Sequence, residues 1–491
     1  MIVLVGFMGA GKTTVGRLLA DRLGLPFVDT DLVIEERRGR SVPEIFTTDG
    51  EPAFRDAEQT VVADVLGGPE SVVSLGGGAC ERRATRDVLA SHTVVHLDVS
   101  FAQARARTAG DTNRPMLHRP GLEQLHADRR TVFEALADVS VVTDGRHAEA
   151  IALEALDGAT AHDGVLVAVP SGTCRIRVRA GSLSCVGSLL PGTESVLVVA
   201  RRGDPALPEV IQGLHGLVHV EELPVGAVEV PGAHGRLARR AVGVEQPDDV
   251  LLLAVGDEAV VGAVSLIAGV DDRGVRWAAV PRSLEAMVAS PRGGEVAVLA
   301  DPEGVSPSTD ARFALGLTEA VRTALVADFG DLDSLIASAV DVLDGDGDAI
   351  ARLVGRTALA RARLLTRGEG GVIEGWRLDY GRTFSGAFAR VLADGADASS
   401  LGLMAAAHLS RRLGMLDDAG VAVHRRALRA FGLATSGRFD LTALWRSRSE
   451  ETQAENGARF VLLHGPGRPE AGVLASDDAL TGALDDLAED R

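Results

Sequence analysis

Lysine is almost missing from this chain. Of the 50 basic side chains among its 491 residues, 49 are arginine and one, Lys12, is lysine. The absence excludes any second lysine-based chemistry, whether a Schiff base, a lysine general acid or a further ammonium clamp on phosphate. Cysteine is scarce too. Cys80, Cys174 and Cys185 are too few for a disulfide framework and point to a reducing compartment. No apolar run reaches the length of a membrane span, and the apolar opening, residues 1–7, is too short for a secretory signal. Basic charge is outweighed, with 69 acidic side chains giving a net charge of −19 and no lysine-rich block. Such a chain is a poor partner for nucleic acid or an anionic membrane. The expectation is a cytoplasmic protein that binds neither.

What is present is globular: 46% apolar residues, 24% charged, 57 glycines and no low-complexity run. At about 100–200 residues per domain, the length predicts two or three domains. The arginine excess on solvated faces reads as the accent of a GC-rich genome, which leaves the question of why position 12 escaped it. Residues 2–6 form a short apolar run ending at a glycine-rich turn. From Lys12 to Leu23, Val15, Leu18, Leu19 and Leu23 recur at helical spacing. Apolar segments at 72–75 and 93–97 alternate with helical stretches, the pattern of a parallel α/β sheet. A last helix near 147–156 precedes the polar stretch 157–164, which is the predicted linker. Beyond it, strands are expected at 165–169, 195–199, 250–255 and 275–280. Helical periodicity then takes over, at 315–326, 350–365 and 400–413.

Gly6-Phe7-Met8-Gly9-Ala10-Gly11-Lys12-Thr13 matches the phosphate-binding pattern G-x-x-x-x-G-K-[ST] in its strand-to-helix setting. The glycines let backbone N–H groups close around phosphates, and the helix N-terminus adds partial positive charge. Lys12 is placed to reach the β and γ phosphates of ATP, and the Thr13 hydroxyl to help hold Mg²⁺. Gly9, Ala10, Gly11 and Thr14 complete the predicted nucleotide contacts.

A P-loop specifies a nucleotide and leaves the acceptor open. Asp29-Thr30-Asp31, Phe46 to Glu51, Phe54-Arg55 with Glu58, Gly76-Gly77-Gly78, Asn113 to Leu117 and Arg129 to Phe133 follow in order. This set resembles shikimate kinase across nearly all of residues 1–150. The resemblance implies that Asp31 orients or deprotonates the shikimate 3-hydroxyl, and that Arg55 and Arg129 bind its carboxylate. It implies that Gly76, Gly77 and Gly78 pack against the ring, where a side chain would block approach, and that Asp29 binds Mg²⁺ through water. A closing lid would run from Arg107 to Leu117, with Arg114 on the phosphates, Arg107 near the nucleotide and Arg146 along the adenine. Arg130 reads as a solvated neighbour of Arg129. Phe133 stands where the family usually has tyrosine, and the stretch from Pro115 to Arg129 is a few residues short.

From about residue 165 onward the chain resembles 3-dehydroquinate synthase, in Arg273-Gly274-Val275, Ser290 to Gly294, Leu315 to Arg322, Leu378 to Phe384 and a helix over 401–416. The resemblance implies an NAD⁺- and metal-dependent fold, yet it fails at the functional positions. Gly256-Asp257-Glu258 replaces the glycine turn for the NAD⁺ pyrophosphate, with Gly262 in place of the following aspartate. Glu319 keeps its metal-ligand position, while Arg382 and Gly395 occupy the histidine positions. Arg322 and Arg361 stand where lysines belong, Glu295 reverses the charge of another, and Glu450-Glu451 fall near a late lysine pair. Arginine does not replace lysine in proton transfer, and one carboxylate beside a cation does not hold a divalent metal. The histidines offer no rescue: His215 and His219 flank an expected strand, and His408 and His424 sit in helices without carboxylate partners. Cys174 and Cys185 lack a C-x-x-C pattern and read as small buried apolar groups.

The sequence therefore predicts an α/β protein. A P-loop kinase domain at 1–157, a parallel sheet with flanking helices, is followed by a linker at 158–164. A dehydroquinate-synthase-like α/β layer at 165–305 and a mostly helical subdomain at 306–491 complete it. ATP and shikimate are the expected substrates and Mg²⁺ the cofactor, with neither NAD⁺ nor zinc. The second half is expected to be inactive, dimerising or docking to other pathway enzymes. The alternatives left open are a bifunctional enzyme, a kinase of a related carboxylated cyclitol, and a non-enzymatic scaffold.

Overall fold

The computed structural model describes residues 1–89, 91–109, 121–162, 164–169, 172–190, 193, 195–214, 217–223, 250–270, 275–308, 310, 312–327, 332–366, 374–392, 395–437 and 458–489. The chain divides into two compact units, Met1–Ala168 and Val169–Arg491.

In the first unit, five parallel strands lie in the order β2-β3-β1-β4-β5. They are β1 (Ile2–Val5), β2 (Phe27–Asp29), β3 (Val72–Ser74), β4 (Thr93–Asp98) and β5 (Val139–Val142). Central β1 is covered on both faces, so it reads as a continuous apolar run, with Val3 and Leu4 fully buried. Helix α1 (Lys12–Leu23) follows β1, and α2 (Thr30–Arg38) follows β2. Next come α3 (Val42–Thr48), α4 (Gly50–Leu66) and α5 (Arg83–Leu89), then α6 (Phe101–Thr108), α7 (Leu122–Leu136) and α8 (Ala148–His162). A reciprocal capping box between Ser41 and Glu44 opens α3.

The expected linker is corrected by α8, which runs to His162 rather than stopping near 156. Ile151, Ala152, Ala155, Leu156 and Ala159 are buried, so an apolar stripe continues through the polar-looking stretch. Gly158 sits inside this helix because a Cβ there would lie 2.5 Å from Val139 Cγ1 of β5.

The second sheet has seven strands, in the order β6-β7-β12-β11-β10-β8-β9. They are β6 (Val165–Val169), β7 (Gly172–Val178), β8 (Ser195–Arg201), β9 (Leu217–Leu223), β10 (Val250–Gly256), β11 (Trp277–Pro281) and β12 (Glu295–Ala300). The pairs from β7 through β12, β11, β10 and β8 to β9 are parallel. Val198, Leu253 and Val280 form the centre of one continuous core on this sheet. Helices follow at Phe313–Val326, Gly347–Thr366, Gly395–Arg412 and Asp418–Ala430, with an antiparallel hairpin of β13 (Ala458–Leu463) and β14 (Pro469–Ala475). His219 lies within β9 rather than beside a strand, and His215 lies outside the described residues. Among the described residues, no helix is long and apolar enough to cross a membrane.

Candidate active site

The loop after β1 needs glycine for two physical reasons. Gly9 and Gly11 take positive φ values of 81° and 94°, a region that L side chains rarely adopt. At Gly6, a Cβ would sit 2.6 Å from the Leu97 carbonyl of β4. Lys12 opens α1, and its Nζ donates to the Gly6 carbonyl at 2.8 Å, folding the ammonium back over the loop. Thr13 Oγ1 donates to Asp29 Oδ2 at 3.0 Å. Asp29 also caps α2 by accepting from the Asp31 N–H at 3.2 Å. A hydroxyl and a carboxylate thus meet beside the phosphate cradle, a hard oxygen pair whose chemistry fits Mg²⁺. Thr14 is exposed in the first turn of α1.

The Gly76–Gly78 turn, after β3, gathers the rest. Thr30 Oγ1 donates to the Ser74 carbonyl and accepts from the Gly76 N–H, tying the turn to the start of α2. A Cβ on Gly76 would meet Glu58 Oε1 at 2.6 Å and Asp31 Oδ1 at 2.7 Å. On Gly78 it would overlap the Arg55 guanidinium. On Gly77 its nearest neighbours would be Arg129 Nη1 at 3.7 Å, the Gly6 carbonyl and the Met8 N–H. Three bare backbone positions therefore touch two carboxylates, two guanidinium groups and the phosphate loop.

Both arginines are buried, Arg55 at 9% and Arg129 at 5% exposure. Arg55, on α4, donates to Glu58 Oε2 at 2.6 Å, one turn along. Burial would lower its pKa, but Glu58 raises it overall, so the guanidinium stays charged. Burial pushes the Glu58 carboxyl up against the pull of Arg55. Arg129, on α7, donates from Nε and Nη2 to Glu81 Oε1 at 2.9 and 2.7 Å. Beneath the turn, burial pushes the Cys80 thiol up to about 12, so it stays protonated and inert.

Arg107 donates to the Gly9 carbonyl at 3.1 Å and to the Thr143 carbonyl at 2.7 Å, bracing the phosphate loop against the end of β5. Arg146 donates to the Val142 carbonyl and pairs with Glu154 at 2.6 Å. Arg130 pairs with Asp98 and Glu134 on the surface. Arg114 and most of the expected lid lie outside the described residues. The geometry adds Glu58 and Glu81 as anchors of the two arginines. Glu58 at i+3 from Arg55 was visible as a helical pair, whereas Glu81 is 48 residues from Arg129 and no local spacing links them.

The second unit has a different centre. Glu319, on the helix Phe313–Val326, is enclosed by guanidinium groups. Arg322 Nη1 pairs with its Oε2, Arg361 Nη1 lies 2.8 Å from Oε1, and Arg382 Nη2 lies 3.5 Å from Oε1. Burial alone would raise its pKa; Arg322, Arg361 and Arg382 bring it down to about 2. Arg322 Nε also donates to the Tyr380 carbonyl at 3.0 Å. Among the described residues, no group of three or more His, Cys, Asp or Glu side chains could hold a metal ion. His424 bonds Tyr380 Oη at 2.9 Å, deep in the helices. Gly395 begins a helix and offers no donor side chain. A carboxylate saturated by arginines does not fit Zn²⁺ or Co²⁺.

Both acidic side chains of the Gly256-Asp257-Glu258 turn have arginine partners. Arg201 pairs with Asp257 at 3.0 Å, and Arg292 Nη2 pairs with Glu258. Both charges are neutralised, so filled side-chain space rather than bare negative charge distinguishes this turn. Glu295 is buried and accepts from the Arg292 and Gly293 N–H groups at 2.6 and 2.9 Å. Cys174 is buried, as expected, whereas Cys185 is only half-buried. Gly262 lies on the helix Glu258–Val270, and Arg273, Gly274, Glu450 and Glu451 lie outside the described residues.

A glycine-rich loop between the central strand and helix of a parallel five-stranded sheet, with carboxylates and arginines across from it, defines the class: a P-loop kinase fold. Residues 8–159 match the family model for shikimate kinase. The shikimate kinase of Rhodococcus erythropolis (strain PR4 / NBRC 100887) is 45% identical over 148 residues, covering 29% of this chain and 88% of that protein. That of Thermobifida fusca (strain YX) is 49% identical over 146 residues, 29% of this chain and 85% of that protein. The chain belongs to the shikimate kinase family. A solved 2-deoxy-scyllo-inosose synthase, complexed with carbaglucose-6-phosphate, NAD⁺ and Co²⁺, matches 63% of this chain and 95% of its own, with a TM-score of 0.52 and 18% identity. That likeness shows the fold alone.

Proposed function

We propose that the first unit transfers the γ-phosphoryl group of ATP to the 3-hydroxyl of shikimate. The observation that carries this reading is the Gly76–Gly78 turn, which brings Asp31, Arg55 and Arg129 to the mouth of the phosphate loop. The two guanidinium groups, each anchored by one glutamate, suit a carboxylate on the acceptor through their remaining donors. Asp31 accepts the proton of the acceptor hydroxyl as its oxygen bonds to the γ-phosphorus and the bond to the β-phosphate oxygen breaks. Lys12 neutralises charge on the β and γ oxygens, and the loop N–H groups hold the phosphates in line. Mg²⁺, held through Thr13 and Asp29, supplies charge neutralisation on the phosphate oxygens when bound. Arg107 steadies the loop at Gly9, while Arg114 closes on the phosphates and Arg146 lies along the adenine. We assign the reaction to the cytoplasm.

The second unit we read as an inactive synthase relative that serves as a homodimerising or docking module. Glu319 supports this, because its carboxylate is already held by Arg322, Arg361 and Arg382. Two measurements on the full chain test the pair of readings. ADP release should depend on shikimate and vanish in Lys12→Ala; turnover without shikimate dependence overturns the first. Purified protein should carry no stoichiometric NAD⁺, Zn²⁺ or Co²⁺ and should leave a heptulosonate phosphate unconverted; conversion overturns the second. Light scattering that returns a monomer removes the dimer.

A further inference from the structure

The carboxylate clamp of the first unit holds its two arginines unequally. Glu51 and Glu58 pair with Arg55 and Glu81 with Arg129, so three carboxylates among the described residues already share two guanidinium groups. An acceptor carboxylate arrives as a fourth. Arg55 keeps a permanent partner. Glu58 lies one turn along α4, its side chain is 3% exposed, and the bond between them is 2.6 Å. Breaking that pair would strand a buried charge, which locks it.

Glu81 is placed differently. It ends the short turn Ala79–Glu81 that follows the three glycines, and its side chain is 44% exposed against 6% for Arg129. One oxygen, Oε1, takes both Nε and Nη2 of Arg129, at 2.9 and 2.7 Å, along one edge of the fork. Such an edge is also where an arginine receives a carboxylate through two parallel bonds. Nη1 lies on the side of Gly77, in the turn that the acceptor ring packs against. A half-exposed glutamate on a short turn can rotate into water at little cost, because hydration replaces the bonds it gives up. Arg129 cannot follow it, being buried on α7. Among the described residues Glu81 is the one carboxylate paired with Arg129, so its departure makes the guanidinium a buried cation that an incoming anion neutralises. The charge of Glu81 also acts on Arg55, helping to hold that guanidinium protonated, so it bears on both halves of the clamp.

We propose that Glu81 is a built-in competitor for the acceptor carboxylate. It holds the Nε–Nη2 edge of Arg129 until that carboxylate, arriving on Nη1, takes the edge and Glu81 turns out to solvent. The inference rests on the acceptor reading above. It makes Glu81 a residue that sets acceptor affinity, and one that favours an anionic carboxylate, able to exchange with it, over a neutral amide or ester.

The test compares the full chain with Glu81→Gln, which keeps an oxygen able to accept from Arg129 but removes the charge, and with Glu81→Ala. Calorimetric titration with shikimate and steady-state ADP release are measured on all three. Both variants should bind shikimate about fivefold more tightly, with the gain in KM for shikimate and none in kcat or in KM for ATP. Shikimate should also raise the unfolding temperature by more in the variants than in the unsubstituted chain, since it then supplies the missing partner. In an Arg129→Gln background, Glu81→Gln should bring no gain in kcat/KM, because the contested edge is gone. Weaker or unchanged shikimate binding in either variant makes Glu81 an anchor only and overturns the proposal, as does a gain that survives Arg129→Gln. Shikimate-dependent turnover of the unsubstituted chain without a gain in the variants defeats this inference alone. Turnover that does not depend on shikimate defeats the acceptor reading, and the inference with it.

Discussion

Replacing Gly78 by alanine tests whether the carboxylate clamp is built on a bare backbone. The backbone of Gly78 has φ −111° and ψ −3°, a conformation alanine adopts without strain, so the change acts through its methyl group alone. That methyl would lie 2.6 Å from the Arg55 guanidinium carbon, where ordinary contact needs about 3.5 Å, so the group must retreat by about 1 Å. Arg55 can move, since it is the far end of a flexible side chain, but it then leaves its 2.6 Å bond with Glu58 and its aim at the acceptor carboxylate. A misplacement of about 1 Å costs about 10²-fold in rate, or about 2.7 kcal/mol, in line with losing one charged hydrogen bond. The assay is steady-state ADP release with each substrate varied. We expect kcat/KM for shikimate to fall about 100-fold while KM for ATP stays within about threefold. The decisive arm is the double-mutant cycle with Arg55→Ala, where the space is already vacant and Gly78→Ala should cost little more. Additive losses in the double variant, or an equal rise in both KM values, would refute the reasoning.

Three further outcomes follow from the same geometry. Lys12→Arg should lower kcat by about 10²–10³-fold, because a forked guanidinium does not fit where Nζ reaches the Gly6 carbonyl at 2.8 Å; near-normal turnover would contradict it. Glu319→Gln should destabilise the second unit by about 3–5 kcal/mol in urea unfolding, since it leaves Arg322 and Arg361 buried with their charged partner gone. Kinase activity should survive that change; a loss under about 1 kcal/mol counts against the cluster as an anchor of the second unit's fold. Burial holds His424 down to about 4 from the ordinary 6.5, so the unfolded chain binds the extra proton between those values. Stability from this group is complete above pH 6.5 and declines by roughly 3 kcal/mol as pH falls to about 4, a decline that His424→Phe should flatten.

Local chemistry was legible in the sequence and distant partnership was not. The phosphate loop could be read because its glycines, lysine and threonine are adjacent, and because their spacing is dictated by phosphate geometry. The strand positions at 72–75, 93–97 and 250–255 were recoverable because strands buried on both faces are written as apolar runs. The outer strand β5 carries half-exposed and exposed positions instead, and the end of α8 hid its buried stripe among Gly, Thr and His. What spacing could not supply was the pairing of Arg129 with Glu81, or of Asp257 with Arg201. Each joins elements that only the folded sheet brings together.

The two units also explain what the lone lysine means. Arginine replaces lysine wherever a charge need only be held, as in the second unit, where Arg322 and Arg361 each make two or more fixed contacts around Glu319 and nearby carbonyls. A planar fork suits that task, because its donors point in set directions and its charge does not titrate. At position 12 the chain folds an ammonium back over carbonyls at 2.8 and 3.4 Å inside a loop of glycines. A slim point charge on a flexible stem makes that fold-back, whereas a planar fork presents its donors in fixed directions. A composition that favours arginine elsewhere is therefore overruled at the one site where shape, and not charge alone, sets the residue. The second unit carries no lysine, and its buried carboxylate, Glu319, is closed by the forks of Arg322, Arg361 and Arg382, whose donors point in set directions.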